Sequence, residues 1–290
     1  MPLSAATAGS AAAIPPLRSA DGAAPAAALP AAKPLAVVTG ASSGIGYHLG
    51  CEAARHGYDL VVAADTPLDD AVADFASLGA HVVAVQTDLS GPGGVDRMLE
   101  ALHGRQVDAL IANAGHGLGH AFLEQPFDAV LHVINTNITG TVYLLQKIGQ
   151  QMQARGAGRI LVTGSIAGYQ PGAFQAVYNG TKAFIDSFAA AIRNENQDAG
   201  FTVTCLMPGA TDTEFFARAD MLDTEVGTAD NKMDPAEVAR IGFRAMLDGE
   251  ADVVAGLKNK ALVAMSKLLP SQVVAAQHRK MAEPGTATAD

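Results

Sequence analysis

Short apolar runs alternate with stretches of helical spacing from residue 35 onward. A strand-length apolar run is typical of a buried β-strand, and strands that alternate with helices favour parallel βαβ units with right-handed crossovers. The carboxyl ends of such strands line one crevice. The pattern therefore predicts an α/β domain with strands at residues 35–39, 59–64, 81–85, 108–112, 160–163 and 201–207, and a candidate seventh strand at 251–255.

Two of the predicted helices are apolar on more than one face. One helical region is expected from about residue 127 to 155, and the other helix carries Tyr178 and runs on to Ile192. A helix on the surface of a globular domain needs only one apolar stripe. The excess apolar surface predicts that both helices also pack against a partner subunit.

A glycine-rich turn, residues 40–46, follows the first predicted strand and precedes a helical pattern. Small residues let a backbone approach a ligand closely, and the free N–H groups at a helix start attract an anion. The alternative interpretation is a βα turn without a ligand. The order strand, turn and helix favours a phosphate cradle, whose candidate residues are Gly40, Ser42, Ser43, Gly44, Ile45 and Gly46.

Asp65 stands at the end of the second predicted strand. In a dinucleotide fold, a carboxylate at this position accepts hydrogen bonds from the 2′-hydroxyl of the adenosine ribose and repels a 2′-phosphate. This predicts NAD rather than NADP as the cofactor. Two alternatives stay open: Asp65 caps the following helix near Leu68, or the ribose contact falls on Ala64.

Three polar side chains indicate acid–base chemistry. Tyr178 and Lys182 lie four residues apart on a predicted helix, and therefore on one face, while Ser165 follows the preceding strand. A free phenol has a pKa of about 10, and a neighbouring cation favours the phenolate. The Ser165 hydroxyl is placed to hydrogen-bond a substrate oxygen that exchanges a proton with Tyr178. The alternative is an exposed lysine whose stem packs along an aromatic ring.

The loop after the fourth predicted strand contains two histidines, His116 and His120, among glycines. A flexible loop does not hold two ligands on one face, and no third ligand is apparent. No metal site is therefore expected. A position of His116 facing the substrate remains open.

Several apolar loop residues are expected near the crevice, and they predict a hydrophobic substrate. The segment 215–222 contains four of the chain's large apolar residues and is either a mobile cover with an apolar underside or a surface helix packed permanently on the core. The candidate pocket residues are Leu118, Tyr169, Phe174, Phe215, Phe216 and Met221.

Composition narrows the class of protein. With 290 residues, 49% of them hydrophobic, the chain is long enough for one large domain with tails. A net charge of -10 gives no basic surface for nucleic acid. Cys51 and Cys205 lie in apolar segments and are expected to be buried, inert thiols. No apolar run is long enough to span a bilayer, so a cytoplasmic protein is expected.

Both ends of the chain differ from its centre. Residues 1–34 are rich in Ala and Pro and predict a disordered tail, followed by an oxidoreductase domain at 35–256. Residues 257–282 contain five basic residues and no acidic one, whereas the rest has 14 basic and 29 acidic residues. This predicts a basic amphipathic helix that Pro270 ends, within a C-terminal arm at 257–290. Folding back on the acidic body or a neighbouring subunit is favoured over membrane contact.

The motifs, taken in order, resemble those of the short-chain dehydrogenase/reductases in their single-domain form. The resemblance implies an α/β, doubly wound Rossmann fold with a seven-stranded parallel sheet flanked by helices. It also implies hydride transfer between a nicotinamide cofactor and a carbonyl or secondary alcohol. It covers residues 35–255 and rests on residues 39–46, Asn113, Ala114, Gly115, Asn137, Ser165, Tyr178, Lys182, Pro208 and Gly209.

The resemblance implies a role for each of four catalytic residues. Tyr178 is the acid/base and Ser165 orients the substrate oxygen. Lys182 lowers the tyrosine pKa and holds the nicotinamide ribose, and Asn137 positions a water that links Lys182 to solvent. Homodimers or homotetramers, joined through the two helices with excess apolar surface, are common in the family.

By the same resemblance, further residues bind the cofactor. Asp88 meets the adenine, Asn113 braces the sheet beneath the cofactor, and Thr211 and Thr213 contact the nicotinamide end. The cofactor set thus adds Asp88, Leu89, Asn113, Ala114, Gly115, Tyr178, Lys182, Pro208, Gly209, Thr211 and Thr213 to the glycine turn and Asp65.

Departures from the family pattern are few. Ala112 stands where many members have Asn, and Gly164 where many have Ser. Ser43 and Asp65 stand where NADP-preferring members have basic residues, which favours NAD. A sensor or scaffold without turnover is the alternative function. Such a protein would need the glycines but not Ser165 and Tyr178, so the presence of both residues argues against it. Reduction of acyl-carrier-protein thioesters is less favoured, because that partner is as acidic as this surface.

Overall fold

A computed structural model describes residues 33–287, and residues 1–32 of the tail predicted at 1–34 lie outside them. The residues from Lys33 onward form one compact unit. Its centre is a seven-stranded parallel sheet with the strand order β3-β2-β1-β4-β5-β6-β7, which confirms the predicted doubly wound Rossmann fold. The strands are β1 Leu35–Thr39, β2 Asp59–Ala64, β3 Val82–Gln86, β4 Ala109–Ala112, β5 Gly158–Thr163, β6 Phe201–Met207 and β7 Asp252–Val254.

Helices cover both faces of the sheet. In the order of the chain they are α1 Gly44–Arg55, α2 Asp69–Ser77, α3 Pro92–Glu100, α4 Phe127–Ile134, α5 Thr141–Arg155, α6 Ala176–Glu195, α7 Phe215–Arg218, α8 Glu225–Thr228, α9 Pro235–Asp248, α10 Leu257–Leu268 and α11 Ser271–Ala282.

Alternate residues of each strand enter opposite hydrophobic layers, because successive side chains of a strand point to opposite faces. In β1, Val37 belongs to the layer that contains Ile148 of α5 and Ile185 of α6. Its neighbour Val38 belongs to the layer that contains Phe243 of α9. Both layers consist of buried apolar side chains, and their packing holds the strand ends in position. Cys51 and Cys205 are free and buried, as predicted.

Pairing between strands extends β5 beyond its apolar run. The strand was predicted at residues 160–163 but begins at Gly158. Gly158 pairs with Phe201 of β6, and Arg159 pairs with both Ala109 and Thr202. Both neighbouring strands pair with the backbone of Arg159, although its side chain is exposed. The tertiary neighbours, rather than the local hydrophobicity, therefore decide where this strand starts.

The helical region predicted at 127–155 is not one continuous α-helix. A π-helical turn, Asn135–Gly140, separates α4 from α5. At Gly140 the backbone approaches the carbonyl of Leu89 so closely that a Cβ atom would overlap it. Such turns are frequent at functional sites. This one carries Asn137, which is 2% exposed.

The C-terminal arm folds back on the body of the protein. Pro270 ends α10, as predicted, and a second helix, α11, follows it. The arm buries Val263 and Val274, and the ammonium of Lys267 lies 4.7 Å from the centre of the Tyr169 ring. The domain boundary predicted at residue 256 stays a prediction. Among residues 33–287, no helix has the length and apolar character needed to cross a membrane.

Candidate active site

The glycine turn has the geometry of an anion cradle. Gly40 and Gly44 adopt φ angles of +65° and +56°, which favour glycine. The α-carbon of Gly46 packs against the carbonyl of Gly40, where a Cβ atom would overlap. No side chain caps α1, since Ser43 forms no capping hydrogen bond. The first N–H groups of α1 are therefore available as donors to an anion.

Asn113 ties three strand ends together where the strand order reverses. Its side-chain amide donates to the carbonyl of Thr39 over 3.3 Å, and its oxygen accepts from the hydroxyl of Thr163 over 3.1 Å. The hydroxyl of Thr39 accepts from the backbone N–H of Asn113 over 3.0 Å. These bonds connect the ends of β1, β4 and β5. The role of Asn113 beneath a cofactor stays a prediction.

One large cleft runs along the carboxyl ends of the strands. Gly46 lies behind the turn and Asn137 lies beneath the cleft, and neither lines it. The sequence-predicted residues that do line it are Gly40, Ser42, Ser43, Gly44, Ile45, Asp65, Asp88, Leu89, Asn113, Ala114, Gly115, Ser165, Tyr178, Lys182, Pro208, Gly209, Thr211 and Thr213.

Ser165, Tyr178 and Lys182 converge at one end of this cleft. Lys182 Nζ lies 5.8 Å from the centre of the Tyr178 ring and donates to the carbonyl of Thr163 over 2.8 Å. Ser165 Oγ accepts from the N–H of Ala167 over 3.1 Å and donates weakly to the carbonyl of Pro208 over 3.4 Å. The strand end of β5 and the first turns of α6 thus bring a hydroxyl, a phenol and an ammonium group together.

The protein by itself raises, rather than lowers, the pKa of the phenol. Burial raises the pKa of Tyr178 to about 12, and the Ser165 hydroxyl acts in the opposite direction. Burial also lowers the pKa of Lys182. Desolvation disfavours the charged form of each group. Tyr178 is therefore a neutral phenol at neutral pH, and the lowering of its pKa expected from Lys182 stays a prediction.

The side chain of Asn137 fastens a loop to α6. Its amide nitrogen donates to the carbonyl of His116 and to the hydroxyl of Thr181, each over 2.9 Å. Its oxygen accepts from the N–H of His116 over 2.8 Å. These three bonds position the loop that follows β4. The role of Asn137 toward a water molecule stays a prediction.

Asp65 has two basic neighbours that the sequence pattern did not indicate. Its Oδ2 lies 2.6 Å from the guanidinium of Arg218 and 3.3 Å from Nε2 of His116. The hydrogen bond with His116, supported by the charge of Arg218, lowers the pKa of Asp65 to about 2. Arg218 is 153 positions away along the chain, so no local signal could reveal the pair.

These contacts decide one open alternative, whereas the position of His116 toward the substrate stays a prediction; His116 lines the cleft. The N-cap of α2 is Leu68 and no side chain caps it, so the capping role considered for Asp65 is wrong. His116 contacts Asp65 and lies 4.7 Å from the ring of His132. Within the described part of the chain, no cluster of three metal-ligating side chains is present.

The remaining cofactor candidates are held by local hydrogen bonds. Asp88 accepts from the N–H and the hydroxyl of Ser90, both over 2.8 Å. Thr211 donates to the carbonyl of Gly209 over 3.0 Å, and Thr213 accepts from the N–H of Phe215 over 3.3 Å. Their contacts with adenine and nicotinamide stay predictions.

Only two of the six predicted pocket residues line the cleft. These are Phe215 and Phe216, and the ring of Phe215 lies 5.0 Å from that of Tyr178. Met221 is fully buried instead, in a small apolar cluster with Phe216 and Ala282. Leu118, Tyr169 and Phe174 also lie outside the lining. The lining residues that sequence reasoning missed include three between Ser165 and Tyr178 in the chain and four from more distant segments: Ile166, Gln170 and Gln175, and Val226, Leu262, His278 and Met281.

The C-terminal arm closes one end of the cleft through His278 of α11. His278 Nδ1 is 3.0 Å from the carbonyl of Ala173, and Nε2 is 3.4 Å from the amide nitrogen of Asn179. Burial lowers the pKa of His278. A neutral ring that donates to Ala173 and accepts from Asn179 fits both contacts. The arm is thereby attached next to Tyr178.

Comparisons with known proteins agree with this geometry. A family model described as short chain dehydrogenase matches residues 34–221. The chain is 32% identical over 195 residues to an L-rhamnose 1-dehydrogenase (NAD(P)(+)) of Sphingomonas sp. strain SKA58, across 65% of this chain and 76% of that protein. It is 28% identical over 250 residues to an uncharacterized oxidoreductase of Myxococcus xanthus, across 85% of this chain and 96% of that protein.

A solved structure extends the agreement to three dimensions. The short-chain dehydrogenase from Sphingobium yanoikuyae in complex with NADPH matches with a TM-score of 0.73 and 28% identity, over 81% of this chain and 93% of that chain. The match of the family model to 34–221 and the shared fold lead to one conclusion. This chain belongs to the short-chain dehydrogenase family of oxidoreductases.

Proposed function

We propose that the protein transfers a hydride between a nicotinamide dinucleotide and the carbon of a carbonyl or secondary alcohol. The convergence of Ser165, Tyr178 and Lys182 at the end of a cleft that begins at an anion cradle carries this proposal. The test is a spectrophotometric screen of NADH and NADPH with apolar ketones. Oxidation of one cofactor that depends on the ketone supports the proposal, and no oxidation with any ketone contradicts it.

In the proposed reduction, the substrate oxygen lies between the hydroxyls of Ser165 and Tyr178. The weak bond of Ser165 to Pro208, at 3.4 Å, leaves the serine hydroxyl free to turn toward the substrate. When bound, the cofactor would supply the hydride to the carbonyl carbon and would become positively charged on oxidation. Tyr178 donates its proton to the developing alkoxide, and Lys182 stabilises the resulting phenolate.

The raised pKa of Tyr178, about 12, fits the donor role. A neutral phenol holds the proton that reduction of a carbonyl requires. Oxidation of an alcohol requires the phenolate, which becomes more populated as the pH rises. The proposal therefore implies that reduction predominates at neutral pH and that oxidation increases toward alkaline pH.

We propose NAD as the preferred cofactor, because Asp65 is ionised and no basic residue stands at position 43. Replacing Asp65 by Asn is expected to shift the ratio of the two dissociation constants toward NADPH about tenfold, or about 1.4 kcal/mol, since the repulsion of a 2′-phosphate is lost. Fluorescence titration with NADH and NADPH measures the shift.

A matched control for this substitution is Asp70→Asn, an exposed aspartate in the first turn of α2. It removes one negative charge without touching the cleft. The ratio of the dissociation constants is expected to stay unchanged in this variant. Tighter binding of NADPH than NADH to the unaltered protein would contradict the NAD preference.

We propose a hydrophobic substrate, because aromatic side chains cover the reactive end of the cleft. Phe215 stacks obliquely near Tyr178, and Phe216 lies perpendicular to Phe215 at 5.4 Å. Apolar walls with a few polar groups are typical of sites for such ligands. Within the ketone screen, kcat/KM is expected to rise with the apolar bulk of the ketone.

We propose a homodimer or homotetramer, with α6 at the contact. Phe184 of α6 is 42% exposed and stacks on Phe188 at 5.6 Å, and Phe127 of α4 is 67% exposed. Light scattering at micromolar concentration is expected to give a multiple of 29.6 kDa. Replacing Phe184 by Glu is expected to lower that mass, because it places a charge in an apolar contact. A monomeric unaltered protein would remove the proposal.

A further inference from the structure

The carboxyl group of Asp186, a half-buried residue of α6, contacts the backbone of Ser165 at the converging side chains. Its Oδ1 accepts from the backbone N–H of Ser165 over 3.2 Å and lies 3.6 Å from the thiol of Cys205. Its Oδ2 is buried and has no hydrogen-bond partner among residues 33–287. Buried polar atoms without a partner are costly, so this one calls for an explanation.

Two glycines provide the space that this carboxyl group occupies. A Cβ atom on Gly164 would overlap Oδ1 of Asp186, and one on Gly168 would overlap Oδ2. Gly164 directly precedes Ser165, and it is one of the departures from the family pattern seen in the sequence. The absence of a side chain at Gly164 therefore makes room for the carboxylate of Asp186.

Asp186 also faces Lys182. The two residues are four positions apart on α6 and share one face of the helix. We propose that Asp186 is a positioning residue: its carboxylate is the counter-ion that keeps Lys182 charged, and it fixes the backbone of Ser165. The inference rests on the proposed function, because it assigns Asp186 a task for the same side chains.

The surroundings of the Asp186 carboxyl group set the pH range in which it is ionised. Burial raises the pKa of Asp186 to about 6, while the Ser165 N–H, the Lys182 charge and the Cys205 thiol act in the opposite direction. Asp186 in turn raises the pKa of Lys182 against its desolvation. From the neighbouring elements, Cys205 of β6 and the phenols of Tyr169 and Tyr178 also face it. Below about pH 6 the carboxyl group is neutral, and its electrostatic attraction on the ammonium of Lys182, which helps to hold that group in position, is lost.

The first test measures the coupling between Asp186 and Lys182 without cofactor or substrate. Carboxyl carbons of aspartate are labelled with ¹³C, and the Asp186 resonance is assigned by its absence in Asp186→Asn. Its titration midpoint is expected near pH 6. Replacing Lys182 by Met is expected to raise that midpoint by about one unit or more, because an opposite charge is removed. An unchanged midpoint would overturn the counter-ion role.

The second test follows the pH dependence of kcat in Asp186→Asn. Asparagine keeps the shape and an oxygen that accepts from Ser165, but it has no charge. The variant is expected to lose about tenfold or more in kcat, which corresponds to about 1.4 kcal/mol or more in the activation free energy. The unaltered protein is expected to lose kcat as the pH falls through about 6, which is the acid limb of its pH profile. This limb should disappear in the variant, since no carboxyl group remains to titrate. Thermal unfolding verifies that the variant is folded.

Cys205→Ala is the matched control, because it removes the thiol contact and keeps the carboxylate. Its kcat is expected to stay within about twofold and its acid limb to remain, as for a neutral contact. Equal losses in both variants would attribute the effect to packing and overturn the inference. If the unaltered protein reduces no ketone, the proposed function fails, while the NMR coupling is decided independently.

Discussion

Replacing Tyr178 by Phe is expected to reduce kcat for ketone reduction by about 10³-fold, because general acid catalysis contributes on the order of 10²–10⁴. The substitution removes only the phenolic hydroxyl and keeps the ring that packs near Phe215. Fluorescence titration is expected to show nearly unchanged cofactor affinity. Steady-state oxidation of the reduced cofactor at saturating ketone measures the loss.

Tyr143→Phe is the control for the loss of a tyrosine hydroxyl. Tyr143 lies on α5 and donates to Asp96 over 2.9 Å at the surface, away from the cleft. Its kcat is expected to change less than about twofold, as for an exposed hydrogen bond of small net value. Equal activity of the Tyr178→Phe variant and the unaltered protein would rule out the assigned proton donor.

Replacing Gly46 by Ala is expected to lower the free energy of unfolding by about 3 kcal/mol, the upper range for overpacking. The added methyl group would overlap the carbonyl of Gly40 and crowd the amide of Asn113. Both the turn and the bonds that connect the strand ends must then shift. Because the cradle is displaced, the dissociation constant for the dinucleotide is expected to rise by about 100-fold or more, about 2.7 kcal/mol.

Gly93→Ala separates this overlap from a general effect of replacing glycine. Gly93 lies in α3, and a Cβ atom there would meet nothing within 4 Å. Alanine at such a helical position is expected to be neutral or to stabilise by about 0.5–1 kcal/mol, with cofactor affinity unchanged. Urea denaturation gives both stabilities. Equal stability of Gly46→Ala and the unaltered protein would contradict the close approach at Gly46.

The catalytic side chains were predictable because their signals are local or ordered along the chain. Tyr178 and Lys182 reveal their common face through their spacing, and the glycine turn reveals its role through the flanking strand and helix. The state of Tyr178 was not predictable in this way. Its pKa depends on how completely the folded protein removes water from the phenol, and that burial opposes the effect expected from Lys182.

The walls of the cleft show the same limit. Four of six pocket residues chosen for apolarity lie elsewhere, and one of them, Met221, is buried in a small core with Ala282 of the arm. The apolar character of a residue indicates that its side chain is buried, but it does not indicate which part of the protein covers that side chain. Residues from α11 reach the site only because the arm folds back over it.

The sequence by itself determined the strands, their alternation with helices, the glycine turn and the order of the catalytic motifs, since each depends on residues close together in the chain. Tertiary structure alone decided the start of β5, the π-helical turn at Asn135–Gly140 and the neighbours of Asp65 and Asp186. These features arise from contacts between distant segments. Their energies come from strand pairing, close packing and desolvation, and none of these exists before the chain has folded.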